Sequence, residues 1–317
     1  MTFQSRRRFI AVTGGMTAVA AAGVLFSRKV SAGPMGLPSG IQLYTVSQPL
    51  AKDAAGTLKA LRAIGYTEVE SAGLGMISAK EFRGLLDDAG LKCPSAHLDL
   101  SGPGIDAQFA DAKALGAHYV VSSVLITLSS DYVKAAKAAI ASGGPPPKPP
   151  KLGPFGLEDF KKMAAQANDT GKAAKDAGLQ YAYHNHNFEF VKMPDGSPAY
   201  DLLVKETDPE LVKFEIDCGW MVVAGGNPVE YFKKYPGRFR MLHIKDFKPV
   251  AKPTTDLMGD GRPTGTDLGK GFIDYTPIFA AGKAAGIEHI FAEQEAPFTV
   301  SQMESAKMDY AFLQKFS

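Results

Sequence analysis

Histidines and carboxylates recur at the ends of short apolar runs in this chain. Four such runs lie at residues 181–186, 214–217, 241–246 and 290–295, and they end in His184-Asn185-His186, Asp217, His243 and Glu293. Imidazole and carboxylate groups brought together from several strands make a site for a divalent cation, with Mn²⁺, Co²⁺, Zn²⁺ and Mg²⁺ as the candidates. Asp217, His243 and Glu293 are the expected ligands, with one more group from the His184–His186 run. A second polar group follows closely in three of the runs: His186, Lys245 with Asp246, and Glu295. Glu293, Glu295, His186 and Lys245 are therefore the candidates for proton transfer. Two earlier runs end in Glu70 and His97, which we expect to contact substrate, together with Trp220 as a stacking platform or wall.

Strands must bring these groups together, and the chain repeats one phrase that would do so. A helix rich in Ala and Lys ends at a glycine, and an apolar strand follows. The glycines are Gly65, Gly90, Gly116, Gly178, Gly237 and Gly286. Glycine after the last helical turn adopts the left-handed conformation without a Cβ clash, which lets the chain turn into the next strand. Ser78 with Glu81, and Ser301 with Glu304, read as capping boxes, and Asn227 before Pro228 reads as a helix start. Adding runs at 41–44 and 213–217 gives eight strand–helix units. Strict alternation predicts a parallel sheet, and eight units predict a closed (β/α)8 TIM barrel over residues 33–317. A doubly wound open sheet is the runner-up, weakened because no G-x-G-x-x-G follows the first strand.

Two stretches break the rhythm. The proline-rich segment at 143–155 is incompatible with helix or central strand and reads as a surface excursion after a helix starting near Asp131. Residues 248–270 follow the seventh strand and would lie on the catalytic face as a lid or wall. Their Gly269-Lys270-Gly271 is a weak phosphate-cradle pattern, more simply a glycine loop.

The first 32 residues read as an export signal. Arg6-Arg7-Arg8-Phe9 is a twin-arginine pattern, an apolar stretch follows, and Val30-Ser31-Ala32 resembles a cleavage site. The apolar stretch is short of the ~20 residues that span a bilayer. A periplasmic or secreted product that meets a membrane only during export is expected. Setting the leader aside removes five basic residues and no acidic ones, which leaves 30 basic against 33 acidic residues. That balance argues against a nucleic-acid surface. Cys93 and Cys218 stand in apolar strand contexts and read as buried free thiols.

Taken together, the motifs resemble the xylose isomerase-like barrels grouped as sugar phosphate isomerases and epimerases. The matching pieces are Gly40-Ile-Gln-Leu-Tyr44, Gly65-Tyr-Thr-Glu-Val-Glu70, Ser95-Ala-His97, Tyr183-His-Asn-His186, Ile216-Asp-Cys-Gly-Trp220, His243-Ile-Lys-Asp246 and Ala292-Glu-Gln-Glu295. The resemblance implies a metal held by Glu, Asp, His and Glu at the ends of strands five to eight. Asp217, His243 and Glu293 match the last three. At strand five many members have Glu-Asn-His where this chain has His184-Asn185-His186, so either His184 takes the place of the ligand or Glu189 reaches back. Glu189 is otherwise a substrate-side group. The implied activity is sugar isomerisation or epimerisation, by proton abstraction next to a carbonyl that the ion polarises. Export points to unphosphorylated sugars or keto-sugars. Lyase or deglycosidase action on a 3-keto-glycoside, and a non-catalytic sugar-binding barrel, are the alternatives. Phosphodiester cleavage is disfavoured by the charge and by six histidines in all. Association into a homo-oligomer is compatible with the resemblance.

Overall fold

The strands form where side chains alternate between two apolar environments, the barrel interior and the layer beneath the helices. In chain order they are β1 (Ser39–Gln42), β2 (Glu68–Ser71), β3 (Lys92–His97), β4 (Tyr119–Ser123), β5 (Gln180–His184), β6 (Val212–Asp217), β7 (Phe239–Ile244), β8 (Asp246–Phe247), β9 (Gly265–Thr266) and β10 (His289–Ala292). The computed structural model describes residues 32–74, 77–98, 104–123 and 155–317. Nearly all of the expected leader (1–32) and proline-rich excursion (143–155), and the helix expected from Asp131, lie outside the described residues.

Eight strands close a parallel barrel in the order β1-β10-β7-β6-β5-β4-β3-β2, as the alternation predicted, and this excludes the open sheet. The short β8 and β9 pair antiparallel and frame the loop that follows β7. Residues 31–317 form a single unit.

Period-two alternation explains the two cores. Tyr119, Val121, Ala182, Met241 and Phe291 form one cluster that fills the barrel, while their neighbours Val120, Tyr181, Leu242 and Ile290 join the larger core under the helices. Burial of each large apolar side chain contributes about 1.5–3 kcal/mol, so this double lining holds the strand ends rigidly. Polar side chains take over the same inward positions toward the C-terminal ends of the strands, where Glu70, His97, His184, Glu215, Asp217 and His243 point into the mouth.

Helix ends follow the sequence signals. Ser78 Oγ accepts from Glu81 N–H, Ser301 Oγ from Glu304 N–H, and Asn227 Oδ1 from Val229 N–H. Gly90 and Gly286 close their helices at φ 72° and 78°. Both cysteines are buried and free. Among the described residues no helix is long and apolar enough to cross a membrane.

Candidate metal centre

The site begins with register. His184 pairs with Glu215, and two residues further on Asp217 pairs with His243 and His243 with Phe291, so two rungs across β5, β6, β7 and β10 deliver imidazoles and carboxylates to the barrel mouth. β10 ends one residue before Glu293, whose N–H donates to Ile244 C=O at 3.0 Å and so continues the ladder. His184, Asp217, His243 and Glu293 offer ligand atoms that all lie within 4.8 Å of one another, and all four residues are buried.

Both imidazoles of this tetrad are backed by a carboxylate. His184 Nδ1 lies 3.0 Å from Glu215 Oε2. His243 Nε2 lies 2.6 Å from Glu70 Oε2, while its Nδ1 faces Glu293 Oε2 at 3.1 Å. A carboxylate on one ring nitrogen fixes the tautomer that leaves the other nitrogen free for an ion, the usual support of a metal-ligating histidine. Glu70 is itself held, by Ser95 Oγ at 2.6 Å and Gln42 Nε2 at 2.9 Å.

The donor set fits a cation on a further count. Asp217 Oδ1 accepts from Trp220 N–H at 2.8 Å, but its Oδ2 is buried without a hydrogen-bond partner. The Lys245 ammonium supplies the positive charge beside it, 3.8 Å from Asp217 Oδ2 and 2.9 Å from Glu293 Oε2. Lys245 also pairs with Glu295, which Arg262 Nη2 approaches from the loop at 2.5 Å.

These neighbours move the titrations. Burial alone would lower the His97 imidazole, but Glu70 and Glu215 outweigh it and raise it to about 10. His243 is likewise raised against burial, by Glu215, Glu293 and Glu70. Burial, aided by neighbouring His243, lowers His184, and burial with His184 holds His186 well below the usual histidine range. Burial pushes Asp217 up to about 7 against the pull of Lys245. Glu215 and Glu293 are held well below the carboxylate range, because the cations around them overcome their burial.

A cavity of about 360 Å³ opens above the tetrad, lined by Gln42, Tyr44, Ala72, Gly73, His97, Leu98, Ser123, His184, His186, Glu293 and Glu295. No Lys or Arg is among these lining residues.

The structure places the expected site residues unequally. His184, Asp217, His243 and Glu293 converge, with Lys245 and Glu295 beside them, and His97, His186 and Glu295 face the cavity. Glu189 does neither. Its oxygens accept from Tyr183 O–H at 2.8 Å and His186 N–H at 2.9 Å, and the residue is buried, so it braces the β5 turn and is not a cavity contact. Trp220 is also withdrawn: it is 1 % exposed and packs on Phe247 at 4.7 Å, below Lys245. Tyr44, 55 % exposed, stands at the cavity rim. Asp246 turns away from the mouth, and its carboxylate accepts from Gly269, Gly271 and Ile273 N–H. The Gly269-Lys270-Gly271 loop therefore already holds an anion, the protein's own. A Cβ at Gly271 would lie 2.0 Å from Asp246 Oδ1, so only glycine permits this closure.

Glu215 was missed by sequence reasoning. Its signal was available, because Glu215 and Asp217 are two residues apart on one strand and so share a face.

A family model described as the xylose isomerase-like TIM barrel matches residues 58–315. The chain belongs to this family. Within it, a sugar phosphate isomerase/epimerase structure from Parabacteroides distasonis ATCC 8503 superposes with a TM-score of 0.66 at 26% identity, covering 87% of this chain and 93% of that one. An inosose dehydratase from Clostridium botulinum (strain Alaska E43 / Type E3) is 34% identical over 161 residues, which cover 48% of this chain and 53% of that protein. The chain thus spans about half the length of the curated relatives it matches. A xylose isomerase-like TIM barrel protein from Mycobacterium smegmatis in complex with magnesium shares the fold, with a TM-score of 0.59 at 17% identity over 88% of this chain and 96% of that one.

Proposed function

We propose that this barrel is a metal-dependent enzyme that removes the proton beside a carbonyl of an unphosphorylated keto-sugar or keto-polyol and expels the β-hydroxyl as water. The observation that carries the reading is the buried tetrad His184, Asp217, His243 and Glu293, with carboxylate-backed imidazoles, at the floor of a polar cavity. The likeness to inosose dehydratases supports elimination as the outcome.

His184, Asp217, His243 and Glu293 would hold the ion. A bound divalent ion supplies Lewis acidity that polarises a substrate carbonyl and acidifies the neighbouring C–H. The chain's own groups do the rest. His186 faces the cavity with a buried Nδ1 that has no partner, so it is the free base. His97, whose Nε2 lies 3.2 Å from both Glu70 and Glu215, is the proton donor to the departing hydroxyl. Loss of the proton and the hydroxyl releases water and leaves an α,β-unsaturated ketone, which, where the α-carbon carries a hydroxyl, is the enol of a dicarbonyl and ketonises. Lys245, enclosed by three carboxylates, neutralises the ligands and is no free base.

Among the described residues the lining holds no Lys or Arg, and a glycine loop is filled by Asp246; both support a neutral substrate. Isomerisation or epimerisation is the second reading, supported by the Parabacteroides likeness over most of both chains. Incubation of the metal-loaded protein with ketoses and inososes in D₂O decides between them. Elimination gives a product lighter by one water, whereas epimerisation or isomerisation gives an unchanged skeleton with deuterium beside the carbonyl. Neither change across the panel would sink both readings. The same reading keeps residues 1–32 as a twin-arginine export signal. Cell fractionation of the full chain against an Arg6→Lys, Arg7→Lys variant tests it, and an unchanged distribution refutes it.

A further inference from the structure

We infer that the centre contains two overlapping cation seats that exclude one another, and that the seat is chosen by the identity of the ion. This inference rests on the metal-dependent reading above. The outer seat is the tetrad that opens on the cavity. The inner seat is formed by His97, His184, Glu215 and His243, whose ligand atoms also lie within 4.8 Å of one another.

Three imidazole nitrogens converge on a single oxygen of the inner seat. Glu215 Oε2 lies 3.0 Å from His184 Nδ1, 3.2 Å from His97 Nε2 and 3.2 Å from His243 Nε2. The other oxygen, Glu215 Oε1, is buried and has no hydrogen-bond partner. A fully buried carboxylate with one orphan oxygen, ringed by three imidazoles from β3, β5 and β7, is more than a brace for a single histidine needs.

The two seats share His184 and His243, and His243 faces them with opposite ring nitrogens. His243 presents Nδ1 to Glu293 of the outer seat and Nε2 to Glu215 of the inner seat. His184 and His243 belong to both seats, so an ion in one takes two of the four ligands of the other. The shared ligands therefore allow one ion per chain.

Donor chemistry decides which seat fills. Three imidazoles and one carboxylate favour Zn²⁺, whereas two imidazoles and two carboxylates with an open side suit Mn²⁺ or Mg²⁺.

Separate Zn²⁺ and Mn²⁺ titrations of the full chain, by competition with a chromophoric chelator, test the inference on two variants. His97→Ala is expected to raise the Zn²⁺ dissociation constant at least about 10-fold and to shift that of Mn²⁺ less than about threefold. Asp217→Asn, which keeps the oxygen that caps Trp220 N–H, is expected to do the reverse. X-ray absorption at the zinc edge should count three imidazoles. His97→Gln conserves volume should the alanine variant unfold. If Asp217→Asn weakens both ions and His97→Ala neither, there is one seat and the inference fails while the metal-dependent reading stands. Two ions per chain also overturn it. If neither ion binds the wild type, both readings fall together.

Discussion

The side chain of Asn185 grips both backbone groups of Asp217. Its Oδ1 accepts from Asp217 N–H at 3.1 Å and its Nδ2 donates to Asp217 C=O at 3.3 Å. The carboxamide thus imitates a peptide and extends the β5–β6 ladder one step past His184. The main chain, released from pairing, turns His186 into the cavity. Asn185→Ala should weaken metal binding about 10-fold or more by loosening a ligand. Two lost hydrogen bonds should lower stability by about 1–3 kcal/mol. Calorimetric metal titration and denaturant unfolding check the two effects, and an unchanged affinity would show that the clamp serves the fold alone.

Tyr44 and Trp220 should separate recognition from packing. Tyr44→Ala removes an exposed ring at the cavity rim and should raise KM about 10-fold, near the upper range for an aromatic contact, with little change in Tm. Trp220→Ala empties a buried position and should destabilise the protein by about 3–5 kcal/mol. Steady-state kinetics and thermal melts on both variants decide it. A Tyr44 variant with unaltered KM would rule out a role in recognition.

Metal affinity should fall with acidification. In the metal-free protein Glu215, Glu293 and Glu70 keep the His243 imidazole protonated well above the usual histidine range despite its burial. An ion must displace that proton, and in part the one on Asp217, which is raised to about 7, so binding releases protons at neutral pH and tightens as pH rises. Calorimetry in two buffers of different ionisation heat measures the release. Identical heats in both would contradict the assignment.

Away from the site, Asp309 should make stability depend on pH. Its Oδ1 accepts from Leu268 N–H, its Oδ2 has no hydrogen-bond partner, and burial, with Asp267 and Asp246 nearby, raises it from 3.8 to about 7. The folded state therefore holds a proton that the unfolded chain has released between those values. Its contribution is fully present below the unfolded value and is lost as pH rises toward the folded one. Asp309→Asn stays neutral throughout, so its Tm relative to wild type should climb between pH 4 and pH 7. Parallel melts across that range test this, and a constant difference would refute it.

The sequence by itself determined the barrel. Apolar runs at period two, helices ended by glycine and eight repeats of that unit leave little else for the chain to form, because each signal is local. It also determined that His184, Asp217, His243 and Glu293 stand at strand ends. Direction was decided only by the tertiary structure. Inside a strand the pleat assigns every side chain to a face, and for that reason Glu215 was legible beside Asp217 even though it was passed over. Past the last ladder hydrogen bond the alternation lapses, and neighbours settle each side chain. Asp246 turned back to the amides of Gly269 and Gly271, Glu189 was taken by Tyr183 and His186, and Trp220 sank beneath Lys245. The shared use of His184 and His243 by two sets of ligands depends on β3, β5, β6, β7 and the end of β10 meeting at one mouth, a relation between residues distant in the chain.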